Sequence, residues 1–271
     1  MIRTVLTTGA NSGIGLAASL ALARAGFRSV GSVRSDAKAE AVHEAAKVAG
    51  VKIETVLLDV ADAARCGEVI EELEPWGIVN NAGYGITAAV EDVDDDEARA
   101  LLETMVIAPM RLARLALPHM RRRRGGRIVN VSSIYGRTTT PLAGWYQAAK
   151  HALEAVSDAL RVEVASDGIR VILLEPGGFN TGIWHEMERS LADRKHSHYG
   201  AAYRRSLAGM RWTQPLMGAP AGVAKVVVKA MTARFPAARY LVGYDAQLLA
   251  LAEPLTPTAL KDWIYRLTLG L

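Results

Sequence analysis

The chain has 271 residues, half of them apolar, and a formal net charge of +4. That length suits a single α/β unit with a sizeable core, and so mild a positive excess selects neither nucleic acid nor a polyanionic small molecule. One cysteine, Cys66, excludes an internal disulfide framework, no stretch has the length of a membrane-spanning helix, and the first apolar run is too short for a signal segment; a reducing, cytoplasmic setting is expected.

The first predicted strand, 4–7, runs directly into Thr8-Gly9-Ala10-Asn11-Ser12-Gly13-Ile14-Gly15. A helix over 14–25 follows and stops before Gly26, a C-terminal cap signal. Further strands are predicted over 28–33, 52–58, 77–80, 127–132, 170–174 and 239–242. Long helices are predicted over 97–120, where Pro109 is expected to introduce a bend, and over 145–165, closed by Gly168. Strands alternating with helices predict an α/β fold: a doubly wound parallel sheet with helices on both faces. Such sheets bind ligands at the C-terminal ends of their strands, where the strand order reverses. The whole chain, 1–271, reads as one domain.

Between 182 and 220 the pattern weakens and turns basic, which predicts an irregular C-terminal substrate lid. Its Ile183, Trp184, Met187, Leu191, Tyr199, Tyr203, Leu207, Met210 and Trp212 suffice to line a substrate slot, or to pack a lid on the body. The tail, 255–271, mixes apolar, aromatic and basic residues at helical spacing. It reads first as a core or subunit-contact helix, with peripheral membrane contact as the alternative. The arginine run 121–124, with Arg127, reads as a helix end satisfying its dipole rather than a nucleic-acid patch. Cys66 has no motif around it to suggest a nucleophile. His196-Ser197-His198 lacks partners at ligand spacing, so no metal site is expected.

Two groups of residues carry chemistry. Glycines at 9, 13 and 15 allow a tight turn whose backbone approaches a phosphate closely, with the helix N-terminus aimed at the anion. Tyr146 and Lys150, four apart, fall on one helix face, and Ser133 ends a strand thirteen residues before the tyrosine. A phenol beside an ammonium is a candidate proton donor and acceptor, and a serine hydroxyl can stabilise charge growing on a substrate oxygen. Each group is weak evidence alone; their joint occurrence in this order is strong.

These motifs, with Asn80-Asn81-Ala82-Gly83 and Pro176-Gly177-x-x-x-Thr181, resemble the short-chain dehydrogenase/reductase family over roughly 1–185. The three-residue gap between Gly9 and Gly13 is similar to its compact branch, and the region beyond 182 looks loosely like hydroxysteroid- and retinol-type members. The resemblance implies a Rossmann-type fold, carbonyl/alcohol chemistry with NAD(P), a small-molecule substrate and a homo-oligomer, dimer or tetramer. It implies that Ser133, Tyr146 and Lys150 are catalytic, that Tyr146 and Lys150 also contact the cofactor, and that Lys150 does so at the nicotinamide ribose. It implies a cofactor held by Gly9, Asn11, Ser12, Gly13, Ile14 and Gly15, by Asp59 and Val60 at the adenine, by Asn81, Ala82 and Gly83 beside the adenosine ribose, and by Pro176, Gly177, Phe179 and Thr181 at the nicotinamide end. One departure stands out. Relatives commonly carry an Asn four residues before the position of Pro109, where it holds a water that links the lysine to solvent; this chain has Met105.

The end of the second strand bears on which dinucleotide is preferred. An acidic residue there would bond the ribose and repel a 2′-phosphate. Val33 stands in that place and Arg34 follows; a guanidinium can pair with a phosphate through two hydrogen bonds. NADP is therefore the expected cofactor, with NAD second. The expected function is an NADP-dependent oxidoreductase interconverting a secondary alcohol and a ketone on a fairly apolar small molecule. The alternative is a dinucleotide-binding sensor with weak or lost catalysis, for which Met105 is the only support.

Overall fold

The structure, a computed structural model, describes residues 2–194 and 197–271; His196 lies outside them. Seven strands form one parallel sheet in the order β3-β2-β1-β4-β5-β6-β7: β1 (Thr4–Thr7), β2 (Arg28–Val33), β3 (Glu54–Leu57), β4 (Gly77–Asn80), β5 (Gly126–Val131), β6 (Ile169–Pro176) and β7 (Arg239–Val242). Each lies within two residues of its predicted bounds.

Side chains alternate across the sheet, as strand geometry requires. Ile78, Ile128 and Val171 point to one face, onto Cys66 and Ile70 of α3 (Ala63–Leu73) and Leu112 and Met120 of α5 (Ala108–Arg122). Val79, Val129 and Ile172 point to the other, onto Leu22 of α1 (Gly13–Arg24) and Val227 and Met231 of α9 (Pro220–Thr232). Burial on both faces is why β4 and β6 read as nearly unbroken apolar runs. The helix α2 (Asp36–Val48) packs Val42 and Ala46 beside Val33 at the β2 end of the sheet.

The predicted helix over 97–120 is two helices. α4 (Asp95–Leu102) runs into a π-helical turn, Glu103–Ile107, before α5. Pro109 explains the break: it has no N–H to give the Met105 carbonyl four residues earlier, so the α pattern is interrupted. The helix that carries Tyr146 and Lys150, α6 (Gly144–Glu163), and a 3-10 turn end at Gly168, in the left-handed conformation at φ 74°.

Two expectations are corrected. The lid is not irregular: it is helical, as α7 (Ile183–Asp193) and α8 (Gly200–Thr213). Its apolar residues recur at helical spacing, Ile183, Met187 and Leu191 on α7 and Tyr199, at the N-cap, with Tyr203 and Leu207 on α8, a period the sequence reading passed over, and specific contacts hold it to the body. Tyr203 is one: its hydroxyl accepts from the Ala89 N–H at 2.8 Å and bonds the Asp92 carboxylate, and Arg194 ties the lid to Glu97. The tail is a helix, α11 (Thr258–Leu269), but not a core one. Its inward residues are Lys261, Tyr265 and Leu269, with the Lys261 ammonium donating to Glu253 at 2.7 Å, while its larger apolar stripe faces out.

The charge clusters are paired. Arg121 donates to Asp167, and Arg122 and Arg123 converge on Glu74. Behind α6, the fully buried Glu175 bonds Arg137 at 2.7 Å, and Arg239 of β7 bonds Glu154 at 3.0 Å as well as Asp158. Buried carboxylates require such partners, and this set ties β7 to the helix that carries Tyr146 and Lys150. The buried Cys66 thiol donates to the Val60 carbonyl at 3.4 Å, and burial pushes its pKa up, away from nucleophile chemistry.

Candidate active site

One cleft of about 1180 Å³ opens at the C-terminal ends of the strands, around the point between β1 and β4 where the order reverses. At its floor lies the glycine turn. Gly9 and Gly13 have φ of +66° and +54°, which side-chain-bearing residues rarely adopt. Asn81 pins the turn by donating through Nδ2 to the Thr8 and Gly9 carbonyls at 2.9 and 3.3 Å, while Thr8 Oγ1 accepts from the N–H groups of Asn81 and Ala82. Unlike Gly9 and Gly13, Gly15 does not line the cleft, and a methyl there would collide with the Gly9 carbonyl and the Asn81 amide. Its role is to let helix and turn meet. Gly15→Ala is therefore expected to cost about 1–3 kcal/mol of stability and to displace the turn, weakening dinucleotide binding; thermal unfolding with and without NADPH would register both effects.

The cradle fits a dinucleotide. The first turn of α1 carries no acidic residue, and its N-cap, Ser12, makes no capping hydrogen bond, so helix N–H groups are left for an anion. Asn11, Ser12 and Ile14 line this end of the cleft, as do Asp59, Val60, Ala82 and Gly83. Asp59 is exposed and accepts from the Ala61 N–H at 3.0 Å, which shapes the loop after β3. Arg34 lines the cleft, exposed and, among the described residues, without an ion pair. Lys38, one turn into α2, lines it too; Asp36 does not. Lys38 was missed by sequence reasoning, although its spacing from Arg34 was a usable signal.

At the other end, Ser133 caps a short 3-10 turn, its Oγ accepting from the Tyr135 N–H at 3.2 Å. Tyr146 and Lys150 project from α6 into the same cleft. Lys150 Nζ donates to the Val131 carbonyl at 2.9 Å and lies 5.7 Å from the Tyr146 ring centroid. Burial pushes the Tyr146 phenol well above its ordinary range, with the Ser133 hydroxyl opposing and Tyr135 adding to the rise. The lysine therefore does not suffice to bring the phenol down, contrary to the simplest expectation from their spacing. Burial also lowers Lys150, to about 8, against the pull of Glu154 one turn on.

Pro176, Gly177, Phe179 and Thr181 line the wall above, and Thr181 packs against Gly13. Asp245, at the start of α10 (Tyr244–Ala252), accepts from the Gly178 N–H at 2.5 Å and holds this segment in place. No sequence signal joined Asp245 to a loop 67 residues away.

A family model described as short chain dehydrogenase matches residues 3–192. The chain belongs to that family. It is 33% identical to human retinol dehydrogenase 5, over 95% of this chain and 86% of that one. It is similar to the crystal structure of a short-chain dehydrogenase from Streptomyces avermitilis, at 30% identity and a TM-score of 0.80 over 97% and 96% of the two chains. A gluconate 5-dehydrogenase from Burkholderia cenocepacia, solved with NADP and tartrate, is 25% identical with a TM-score of 0.74, over 91% and 95%. The protein is thus a short-chain oxidoreductase acting on CH–OH groups with a nicotinamide dinucleotide.

The lid forms part of the cleft wall in this short-chain dehydrogenase. Of the lid residues, Ile183, Trp184 and Met187 line the cleft, joined by Tyr84, Tyr135 and Leu216. Leu191, Tyr203 and Leu207 instead pack lid against body, and Trp212 is exposed. The segment thus both lines the cleft and packs against the body. Met105, 2% exposed, lines the cleft beside Thr104 and packs on Gly83.

Proposed function

We propose that this chain is an NADP-dependent oxidoreductase interconverting a secondary alcohol and a ketone on a fairly apolar small molecule, with Ser133, Tyr146 and Lys150 as its catalytic set. The observation that carries the reading is the convergence of those three side chains on one cleft with the glycine turn at its floor and, at its far end, Arg34, which has no ion pair among the described residues. Aromatic and aliphatic side chains around Tyr146, among them Tyr84, Trp184 and Met187, favour an apolar substrate.

When bound, the nicotinamide ring supplies or takes the hydride. In the reducing direction Tyr146 gives its phenolic proton to the carbonyl oxygen, which Ser133 Oγ also holds by donating a hydrogen bond. Bringing a phenol from about 10 to near 7 takes roughly 4 kcal/mol. Burial works against this, so the charge must come from groups beside the ring. The Lys150 ammonium is one, and at a pKa of about 8 it can also hand on a proton. A substrate-panel screen following NADPH absorbance tests the proposal. Turnover of apolar ketones with NADPH is the expected result; NADPH binding with no turnover across the panel would favour the sensor.

Met105 bears on the proton path. Its carbonyl lacks an α-helical donor, because residue 109 is proline, and this leaves a main-chain acceptor for a relay water. Met105→Asn is accordingly expected to change kcat only a few-fold. A rise beyond about tenfold, close to 1.4 kcal/mol of barrier, in a variant with unchanged thermal unfolding would mean that the missing amide limits the reaction.

A further inference from the structure

The C-terminal helices turn large apolar side chains outward. On α10 and the turn after it, Tyr244, Leu248, Leu251 and Leu255 follow the i, i+4, i+7, i+11 spacing of one helix face, and they are 91%, 70%, 71% and 82% exposed. On α11, Trp263 and Leu267 repeat the pattern at 60% and 67%, while Lys261 and Tyr265 turn inward. Trp212, at the end of α8, and Leu216, in the turn after it, are exposed as well. Leu216 and Tyr244 also line the cleft, so the apolar surface borders its mouth. Exposed apolar surface of this extent marks an interaction site.

Charge identifies the occupant. Between Asp193 and Asp245 the sequence has no acidic residue and nine Lys or Arg. Arg204, Arg205 and Arg211 are exposed on α8, and the Arg205 guanidinium lies against Gly270, which caps α11. Arg211 also bonds Glu188, and Asp262 is one exposed acid on the tail. Cations therefore border the apolar stripes. A second copy seated on this face by two-fold symmetry would bring like cations together and cap the cleft mouth. A lipid surface would do neither, and among the described residues no helix is long and apolar enough to cross a membrane.

We propose that α10, α11 and the end of α8 seat the protein on an anionic lipid surface, with the cleft mouth turned toward the lipid. The orientation of the mouth rests on the apolar-substrate reading; the binding surface does not. The full chain would be co-sedimented with vesicles of phosphatidylcholine alone and of an equal mixture with phosphatidylserine. At least about tenfold tighter binding to the anionic vesicles, lost at high salt, is the expected result, because basic residues are drawn to such a surface. The exposed triple variant Leu248→Gln/Leu251→Gln/Leu267→Gln should lose most of that binding while keeping its thermal unfolding and NADPH affinity. No co-sedimentation, equal binding to both vesicle types, or unchanged binding by the triple variant would each overturn the proposal. So would a dimer that the triple variant dissociates, which would assign the face to a second copy. Because none of these measurements needs substrate, a failed catalytic reading would show itself separately.

Discussion

Tyr146→Phe is expected to lower kcat by at least about 10²-fold, in line with general acid–base contributions, with NADPH affinity unchanged. Phenylalanine keeps the ring, its edge contact with Tyr135 at 6.3 Å between centroids, and the packing beside Met105 and Ala149. Only the hydroxyl is lost. The phenol is already held toward its neutral form by burial, so its removal leaves no buried charge behind and should cost little stability. Single-turnover rates with cofactor titrations check both halves; near-normal turnover would remove Tyr146 from the chemistry. Lys150 adds a pH signature. Below about 8 it is charged, and as pH rises through that value it loses its proton. Since kcat/KM reports the free enzyme, that parameter should fall above about pH 8 in the reducing direction.

Arg34→Ala is expected to shift the NADPH/NADH preference by about ten- to a hundredfold toward NADH, the effect of losing one charge-assisted hydrogen bond of roughly 1.5–3 kcal/mol. Only NADPH carries the 2′-phosphate, so dissociation constants for the two cofactors separate a specific contact from a general one. The side chain is exposed and carries no ion pair among the described residues, so its removal should leave the fold intact. Lys38 lines the same end of the cleft and sets a floor: some NADPH preference should survive in Arg34→Ala. Equal weakening of both cofactors would instead mean that Arg34 serves their shared part.

The order of strands and helices was legible because buried parallel strands are short apolar runs, and the helices between them end at glycines such as Gly26 and Gly168. The grouping of Tyr146, Lys150 and Ser133 was legible for a local reason. Two of them share one helix face, and the third ends the strand that precedes that helix. The glycine turn is likewise a contiguous stretch whose backbone freedom shows in its residue types.

What only the tertiary structure decided depends on sheet closure and on burial. Asp245 reaches Gly178, and Arg239 meets Glu154 and Glu175, only because segments far apart in the chain meet around the paired strands β6 and β7. The Tyr146 phenol rises, rather than falls, because the burial penalty on its charge outweighs a neighbour's influence, and burial is not a property of spacing. The tail shows the same limit. Its helical period was visible in the chain, but a period gives a stripe and not the direction in which it faces; that was set by which side of α11 found partners on α8 and at Thr139, and it left the apolar side outward.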